Sequence, residues 1–195
     1  MLALDGSLSH VTEVLSGDYY QPLSTSSPHQ IWSSAMVISP VLRGLLGLET
    51  DAVGNKVVFA PHVPADWTTF AIHHVRSGDA VLDFSYRKTL DEVALDIQSS
   101  ASSELEFSPA LSPRTQILSV QVNGHRSPYL LVQNSDSDQH VVVHTSLTKG
   151  KSTLRIRMRN DFGASIASSL PPLGSSSRGL HVISNLWSAS RDTSP

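Results

Sequence analysis

Short segments that alternate apolar and polar residues dominate this sequence from residue 56 onward. They are rich in Val, Ile, Leu, Phe and Thr, and turn-forming Gly, Pro, Asn, Asp or Ser residues lie between them. In the segment 154–159, the leucine, isoleucine and methionine share one face of a strand and the arginines share the other. The pattern predicts strands in nine segments: 56–60, 69–76, 80–88, 92–99, 104–107, 116–123, 129–133, 140–145 and 153–159.

The number and spacing of these segments favour an antiparallel β-sandwich over a helical or α/β domain. The dipeptide Asn123-Gly124 predicts a hairpin turn. Residues 160–179 contain many Ser, Gly and Pro residues and are typical of a loop or linker. We therefore predict the sandwich in residues 51–160, and in residues 161–195 a linker with the start of a further β segment at 181–187.

A helix is predicted upstream of the strands, in residues 28–47. Ser27 is a good N-cap, Pro28 occupies the first helical position, and Gln30 completes a capping box. Pro40 predicts a kink or a break near Ser39. We expect at least one face of this helix to be buried, because apolar residues recur at helical spacing: Trp32, Ala35, Met36, Leu42, Leu45 and Leu46.

Composition and charge exclude several classes of protein. The 195 residues are 39% apolar, which is enough for a packed core, and the net charge of −3 comes without a basic run that could bind nucleic acid. The absence of cysteine excludes disulfides and thiolate metal sites. No apolar run reaches the roughly 18 residues that span a bilayer, and no basic region opens the chain. We expect a soluble protein of unknown location, without a nucleic-acid or membrane partner.

Nine histidines raise the hypothesis of a metal site, but local geometry argues against it. His73 and His74 are adjacent in a predicted strand, so they should point to opposite faces. His140 and His144 share a face but stand about 13 Å apart. Neither pair can hold one ion, and no nucleophile elbow, P-loop or dinucleotide motif is present. We therefore predict no metal and no cofactor.

The stretch from Thr12 to Leu48 resembles the last hairpin of the (α/α)6-barrel glycosidases. Glu13 precedes a turn with Gly and Pro, and Ser-Pro-His-Gln-Ile-Trp-Ser follows at 27–33. Gly-Leu-Leu-Gly-Leu at 44–48 and Phe-Ala-Pro-His-Val-Pro-Ala-Asp-Trp at 59–67 are most similar to proteins labelled amylo-α-1,6-glucosidase or glycogen-debranching, and to mannosylglycerate-hydrolase-like enzymes. The resemblance implies an α+β chain: a terminal helical hairpin of an (α/α)6 barrel in residues 1–50, then the antiparallel β-sandwich.

The resemblance also implies roles for individual residues. Inverting glycosidases use one protonated and one ionised carboxyl group about 6.5–9.5 Å apart. Glu13 would be the ionised group, the general base that activates water, and the acid would come from an earlier hairpin that this chain does not contain. Substrate-binding roles are implied for His29, Trp32, Tyr19 and Tyr20, by hydrogen bonding to sugar hydroxyls or stacking on a pyranose. Ordinary capping and packing explain the same four residues.

Two functions follow from these observations. The first is a fragment of an inverting glycoside hydrolase that acts on oligosaccharides or glucan-like glycosides, inactive without the missing N-terminal barrel. The second is a non-catalytic β-sandwich that binds carbohydrate or another partner, in which Trp67, Tyr86 and Tyr129 serve packing or sugar contact. An exposed apolar face on the helix 28–47 would favour the first.

Overall fold

Strands make up more than half of the described residues of this protein, for which we analysed a computed structural model. The structure describes residues 16–19, 21–25, 31–134, 138–163 and 174–176. Its elements are helix α1 (Ile31–Ser39), a π-helical segment (Pro40–Leu45), and strands β1 (Leu48–Asp51), β2 (Lys56–Phe59), β3 (Thr69–Ser77), β4 (Ala80–Lys88), β5 (Glu92–Ser99), β6 (Ser103–Phe107), β7 (Ala110–Leu111), β8 (Gln116–Val122), β9 (His125–Arg126), β10 (Leu130–Asn134), β11 (Asp138–Leu147) and β12 (Gly150–Arg159).

The twelve strands form two six-stranded sheets. The first has the order β1-β2-β6-β11-β10, with β7 also paired to β11, and the second has the order β3-β4-β5-β12-β8-β9. Every pair is antiparallel except β2 with β6, which run parallel. The expectation of a purely antiparallel sandwich is therefore wrong at one place. The chain leaves β2 to form three strands of the second sheet before it returns as β6, so no hairpin forces these two strands to be antiparallel.

One apolar core joins the two sheets. Phe59 on β2 lies with its ring centroid 5.2 Å from that of Phe84 on β4, in the opposite sheet, and 5.7 Å from that of Phe107 on β6. The alternation in β12 is confirmed, since Leu154, Ile156 and Met158 are buried. The core also contains Val57, Leu82, Leu95, Ile97, Leu105, Val141, Val143 and Leu147.

All nine predicted strands are confirmed, most of them to within one residue at each end. The hairpin at Asn123-Gly124 is also confirmed: it joins β8 to β9, and both residues have positive φ values, 50° and 81°. The short strands β1, β7 and β9 were not predicted. The further strand predicted at 181–187 lies outside the described residues.

The predicted α+β class, with a helical hairpin of an (α/α)6 barrel, is wrong. The described residues contain one short α-helix beside two sheets. Near Ser39, where a kink or a break was predicted, the helix changes type: α1 ends at Ser39 and the chain continues from Pro40, which has no N–H to donate, as the π-helical segment. Two of the apolar residues that predicted this helix belong to the sandwich: Leu46 is buried in its core, and Leu42 packs against it.

Helix α1 carries apolar side chains that are exposed. Trp32 is 59% exposed, Met36 71% and Ile38 61%. We expected one face of this helix to be buried, but these three side chains are exposed. No helix among the described residues has both the length and the apolar character needed to cross a membrane.

The chain divides into two compact units. Residues 36–167 form one unit, which contains all twelve strands. Residues 1–35 and 168–195 form the other, whose described residues include a β-bridge between Tyr19 and Ser176. The predicted domain boundaries near residues 50 and 160 stay predictions.

Candidate functional site

The residues implied by the glycosidase resemblance fall mostly outside the described part of the chain. Glu13, Tyr20 and His29 lie outside it. Tyr19 is exposed, and Trp32 projects from α1 into solvent. The roles of these five residues therefore stay predictions.

The aromatic residues of the sandwich divide into buried and exposed. Tyr86 is buried and stacks on Phe70, with the ring centroids 4.7 Å apart, so it serves packing. Burial and the nearby charge of Asp161 raise the pKa of Tyr86 above its usual range. Trp67 and Tyr129 are exposed and could contact a ligand.

A β-bulge in β3 changes the geometry of two adjacent histidines. The register with β4 shifts between Ile72 and Val75, and His74 has a φ of 61°. The rings of His73 and His74 have centroids 6.5 Å apart, so the expectation that they point to opposite faces is wrong. Both approach Asp83: the N–H of His74 donates to Oδ1 at 2.8 Å, and His73 Nδ1 lies 3.6 Å from it. The hydrogen bond from His74 is the main reason that the pKa of Asp83 lies below its usual value.

Asp161, just after β12, is the centre of a polar network. Its carboxylate pairs with Lys88 Nζ at 2.9 Å and accepts hydrogen bonds from the N–H of Ser112 at 3.0 Å and from Thr115 Oγ1 at 2.7 Å. Burial by itself would raise the pKa of Asp161, but the hydrogen bonds from Ser112, Lys88 and Thr115 and the charge of Lys88 lower it below its usual value. Each group has a partner, so the network anchors the end of the sheet.

We expect Asp161→Asn to lower the free energy of unfolding by about 2 kcal/mol at neutral pH. The amide can still accept hydrogen bonds but cannot pair with Lys88. Because the folded-state pKa of Asp161 is lowered, its contribution is present above the unfolded-state pKa of about 3.9 and is lost as the pH falls through the folded-state value. Urea unfolding of both proteins between pH 7 and pH 3 should show the difference shrink on acidification.

The exposed residue Asp66 provides the control for this experiment. Asp66→Asn should change stability by less than about 0.5 kcal/mol at every pH. If the difference in free energy of unfolding between the wild type and Asp161→Asn did not change with pH, this would contradict a lowered folded-state pKa of Asp161.

A second cluster joins His62, Asp138 and His140. Asp138 Oδ2 lies 3.4 Å from His62 Nδ1 and 3.6 Å from His140 Nε2. One ligand atom from each residue can be chosen so that all three lie within 4.8 Å of one another. Asp138 is only 7% exposed, whereas the His62 side chain is largely exposed. The cluster is therefore buried on the side of β11 and open to solvent at His62.

Backbone pairing brings the segments of this cluster together. Asp138 and His140 lie two residues apart at the start of β11, so their side chains share a face. His140 is paired with Ala110 of β7, whose N–H donates to the carbonyl of Pro61 at 3.0 Å. This hydrogen bond holds the residue before His62 close to β11.

The ring orientation of His140 is set by Ser108. His140 Nδ1 lies 2.9 Å from the Ser108 carbonyl oxygen and 3.2 Å from Ser108 Oγ. A carbonyl oxygen can only accept, so the shorter contact assigns the proton to Nδ1, and the hydroxyl oxygen can accept from the same N–H. In the neutral ring, Nε2 then presents a lone pair to the carboxylate of Asp138. The other carboxylate oxygen, Asp138 Oδ1, is buried without a hydrogen-bond partner. Two facing acceptors repel each other, so this arrangement suits a cation between them, either a proton or a metal ion.

Sequence reasoning missed this cluster because it compared histidines only with histidines. The Asp-x-His spacing at 138–140 lies just before and at the start of the strand predicted at 140–145, and it was a usable signal, since both side chains share a face if the strand begins at Asp138. His62 carried no such signal. It lies far away in the sequence and joins the cluster only through tertiary structure.

Comparison with known proteins identifies solved structures that share the fold of this chain. No protein-family model matches the chain, and no curated protein matches it. Five chains of solved structures match. One is the alpha-L-rhamnosidase from Dictyoglumus thermophilum, with a TM-score of 0.50 and 16% sequence identity. The match covers 71% of this chain and 16% of the rhamnosidase chain, so the protein shares the fold of a limited part of a glycoside hydrolase.

Proposed function

We propose that this chain is part of a glycoside hydrolase, in which the two sheets form an accessory β-sandwich beside a catalytic domain. The observation that carries the proposal is the fold shared with a segment of an α-L-rhamnosidase, of which only 16% is matched. The resemblance of residues 12–48 to glycosidases supports the same class independently of the fold.

The exposed apolar residues of α1 support a further contact with the remainder of such an enzyme. Met36 and Ile38 belong to the unit formed by residues 36–167, and both are largely exposed apolar side chains of the helix. An apolar helix surface of this kind commonly packs against other protein. We propose that it faces the catalytic domain of the parent enzyme.

Glu13 is the proposed general base of an inverting hydrolysis of oligosaccharides or glucan-like glycosides. This assignment rests on the resemblance of the Glu13 loop to that of the glycosidases. The general acid would be supplied by the rest of the parent enzyme, so the chain alone should be inactive. His29, Trp32, Tyr19 and Tyr20 are the proposed contacts to the sugar.

The test compares the chain with the longest reading frame that contains it, on a panel of aryl glycosides and oligosaccharides. We expect turnover only in the longer protein. Removal of the base by Glu13→Gln should lower kcat by about 10²–10⁴-fold, since general base catalysis contributes that much. Azide, a nucleophile that needs no deprotonation, should restore turnover of an activated substrate in this variant.

The nearby exposed carboxylate Asp18 is the matched control. Asp18→Asn should leave kcat unchanged in the longer protein. Loss of activity in Asp18→Asn with retention in Glu13→Gln would transfer the role of base to Asp18. Absence of glycosidase activity in a folded longer protein would overturn the proposed function.

The alternative is a carbohydrate-binding module without catalysis, which the exposed rings of Trp67 and Tyr129 favour. Aromatic rings at a protein surface stack on sugar rings through their apolar faces. Calorimetric titration of the chain with maltooligosaccharides and rhamnose-containing oligosaccharides tests this function. We expect binding to disappear in Trp67→Ala if the module binds sugar, whereas no binding by the wild type would exclude this role for these ligands.

A further inference from the structure

We propose that His62, Asp138 and His140 bind one divalent transition-metal ion of the zinc class. Two imidazoles and one carboxylate are a ligand set that zinc accepts, with a fourth position left for water. Zinc takes nitrogen and oxygen ligands at about 2.0–2.2 Å, so tetrahedral ligand atoms lie about 3.3 Å from one another. The distances of 3.4 and 3.6 Å from Asp138 Oδ2 to the two histidine nitrogens are close to that value.

The surroundings of the cluster prepare it for a metal ion. The Ser108 carbonyl oxygen accepts from His140 Nδ1 at 2.9 Å, which orients the ring and leaves Nε2 as the ligand atom. A second partner of this kind is usual for metal-binding histidines. Asp138 Oδ1 is a buried carboxylate oxygen without a hydrogen-bond partner, and a bound cation would compensate its charge.

His62 gives a metal ion access to the site and can adjust the geometry of the ligands. Its side chain is largely exposed, so an ion can enter from solvent and the ring can turn to complete the geometry. Its backbone is held in place, because the N–H of His62 donates to the carbonyl of Leu45 at 2.8 Å. A bound ion would therefore tie the segment after β2 to the start of β11 and stabilise the folded state.

The experiment uses the full chain without a histidine tag, stripped of metal with a chelator. Titration with zinc chloride should show one ion bound per chain, and zinc should raise the midpoint of thermal unfolding. Substitution of the exposed ligand by His62→Ala should weaken the affinity by more than about tenfold. Cobalt(II) should give a visible absorption band in the wild type that is lost in His140→Ala.

His144→Ala is the matched control, since His144 is an exposed histidine on the same strand, near Glu106. It should bind zinc as the wild type does. Circular dichroism confirms that each variant is folded, and His62→Gln replaces His62→Ala if the latter is not. No saturable binding of zinc at micromolar concentrations, or equal weakening by His62→Ala and His144→Ala, would overturn the proposed site.

Discussion

Replacement of Phe59 by alanine is expected to lower the free energy of unfolding by about 4 kcal/mol, the largest loss of stability that we predict for a single substitution. Phe59 is fully buried, and its ring lies near those of Phe84 and Phe107, with a third contact to Phe70 at a centroid distance of 6.3 Å. Alanine removes the ring and leaves a cavity between the two sheets, which rigid strands cannot close. Urea unfolding followed by circular dichroism measures the change.

Leu90 provides the control for this prediction. It is a large apolar residue that is 79% exposed in the turn between β4 and β5. Leu90→Ala should change the free energy of unfolding by less than about 0.5 kcal/mol. If Phe59→Ala does not fold, Phe59→Leu should still fold with a smaller loss. A loss below about 1 kcal/mol in Phe59→Ala would show that Phe59 does not join the two sheets.

The second large effect is expected from Gly47→Ala, which should lower the free energy of unfolding by about 3 kcal/mol. Gly47 has a φ of 53°, a conformation that costs an L-residue about 1–2 kcal/mol. A Cβ atom there would also lie 2.8 Å from the carbonyl carbon of Ala60 and 2.9 Å from its Cβ. The approach is close because the N–H of Ala60 donates to the carbonyl of Gly47 at 3.0 Å. If the backbone moved to relieve this clash, the hydrogen bond between Ala60 and Gly47 would break, next to the start of β1.

Gly44 is a matched control three residues earlier. A Cβ atom at Gly44 would meet nothing within 4 Å, and its φ is not positive. Gly44→Ala should leave stability unchanged or raise it by up to about 1 kcal/mol, because alanine has less freedom than glycine in the unfolded chain. Equal losses in the two variants would show that the contact with Ala60 does not decide the effect.

The sandwich strands could be predicted from the sequence alone, because the signal that defines them is local. In β12 the alternation of Leu154, Ile156 and Met158 with arginines already selects which face is buried, and the dipeptide Asn123-Gly124 selects a turn by its own backbone preference. These features depend on neighbours two residues away. No distant part of the chain is needed to specify them.

The tertiary structure decided what the apolar helix residues pack against. The spacing of Leu42 and Leu46 indicates a buried helical side, but it does not say whether a second helix or a sheet covers it. In the structure, both residues contact the sandwich core, which is why the expected barrel hairpin was wrong. Helical periodicity specifies the face that is buried and carries no information about the partner.

Tertiary structure also decided the candidate sites. The bulge at His73 and His74 depends on the pairing of β3 with β4, and the cluster of His62, Asp138 and His140 depends on the pairing of β7 with β11. Sequence alone determined the strands, the turn at Asn123 and the end of α1 before Pro40, because backbone preference and alternation act over a few residues. It could not determine which distant side chains meet, because sheet order and register are set by the packing of the whole core.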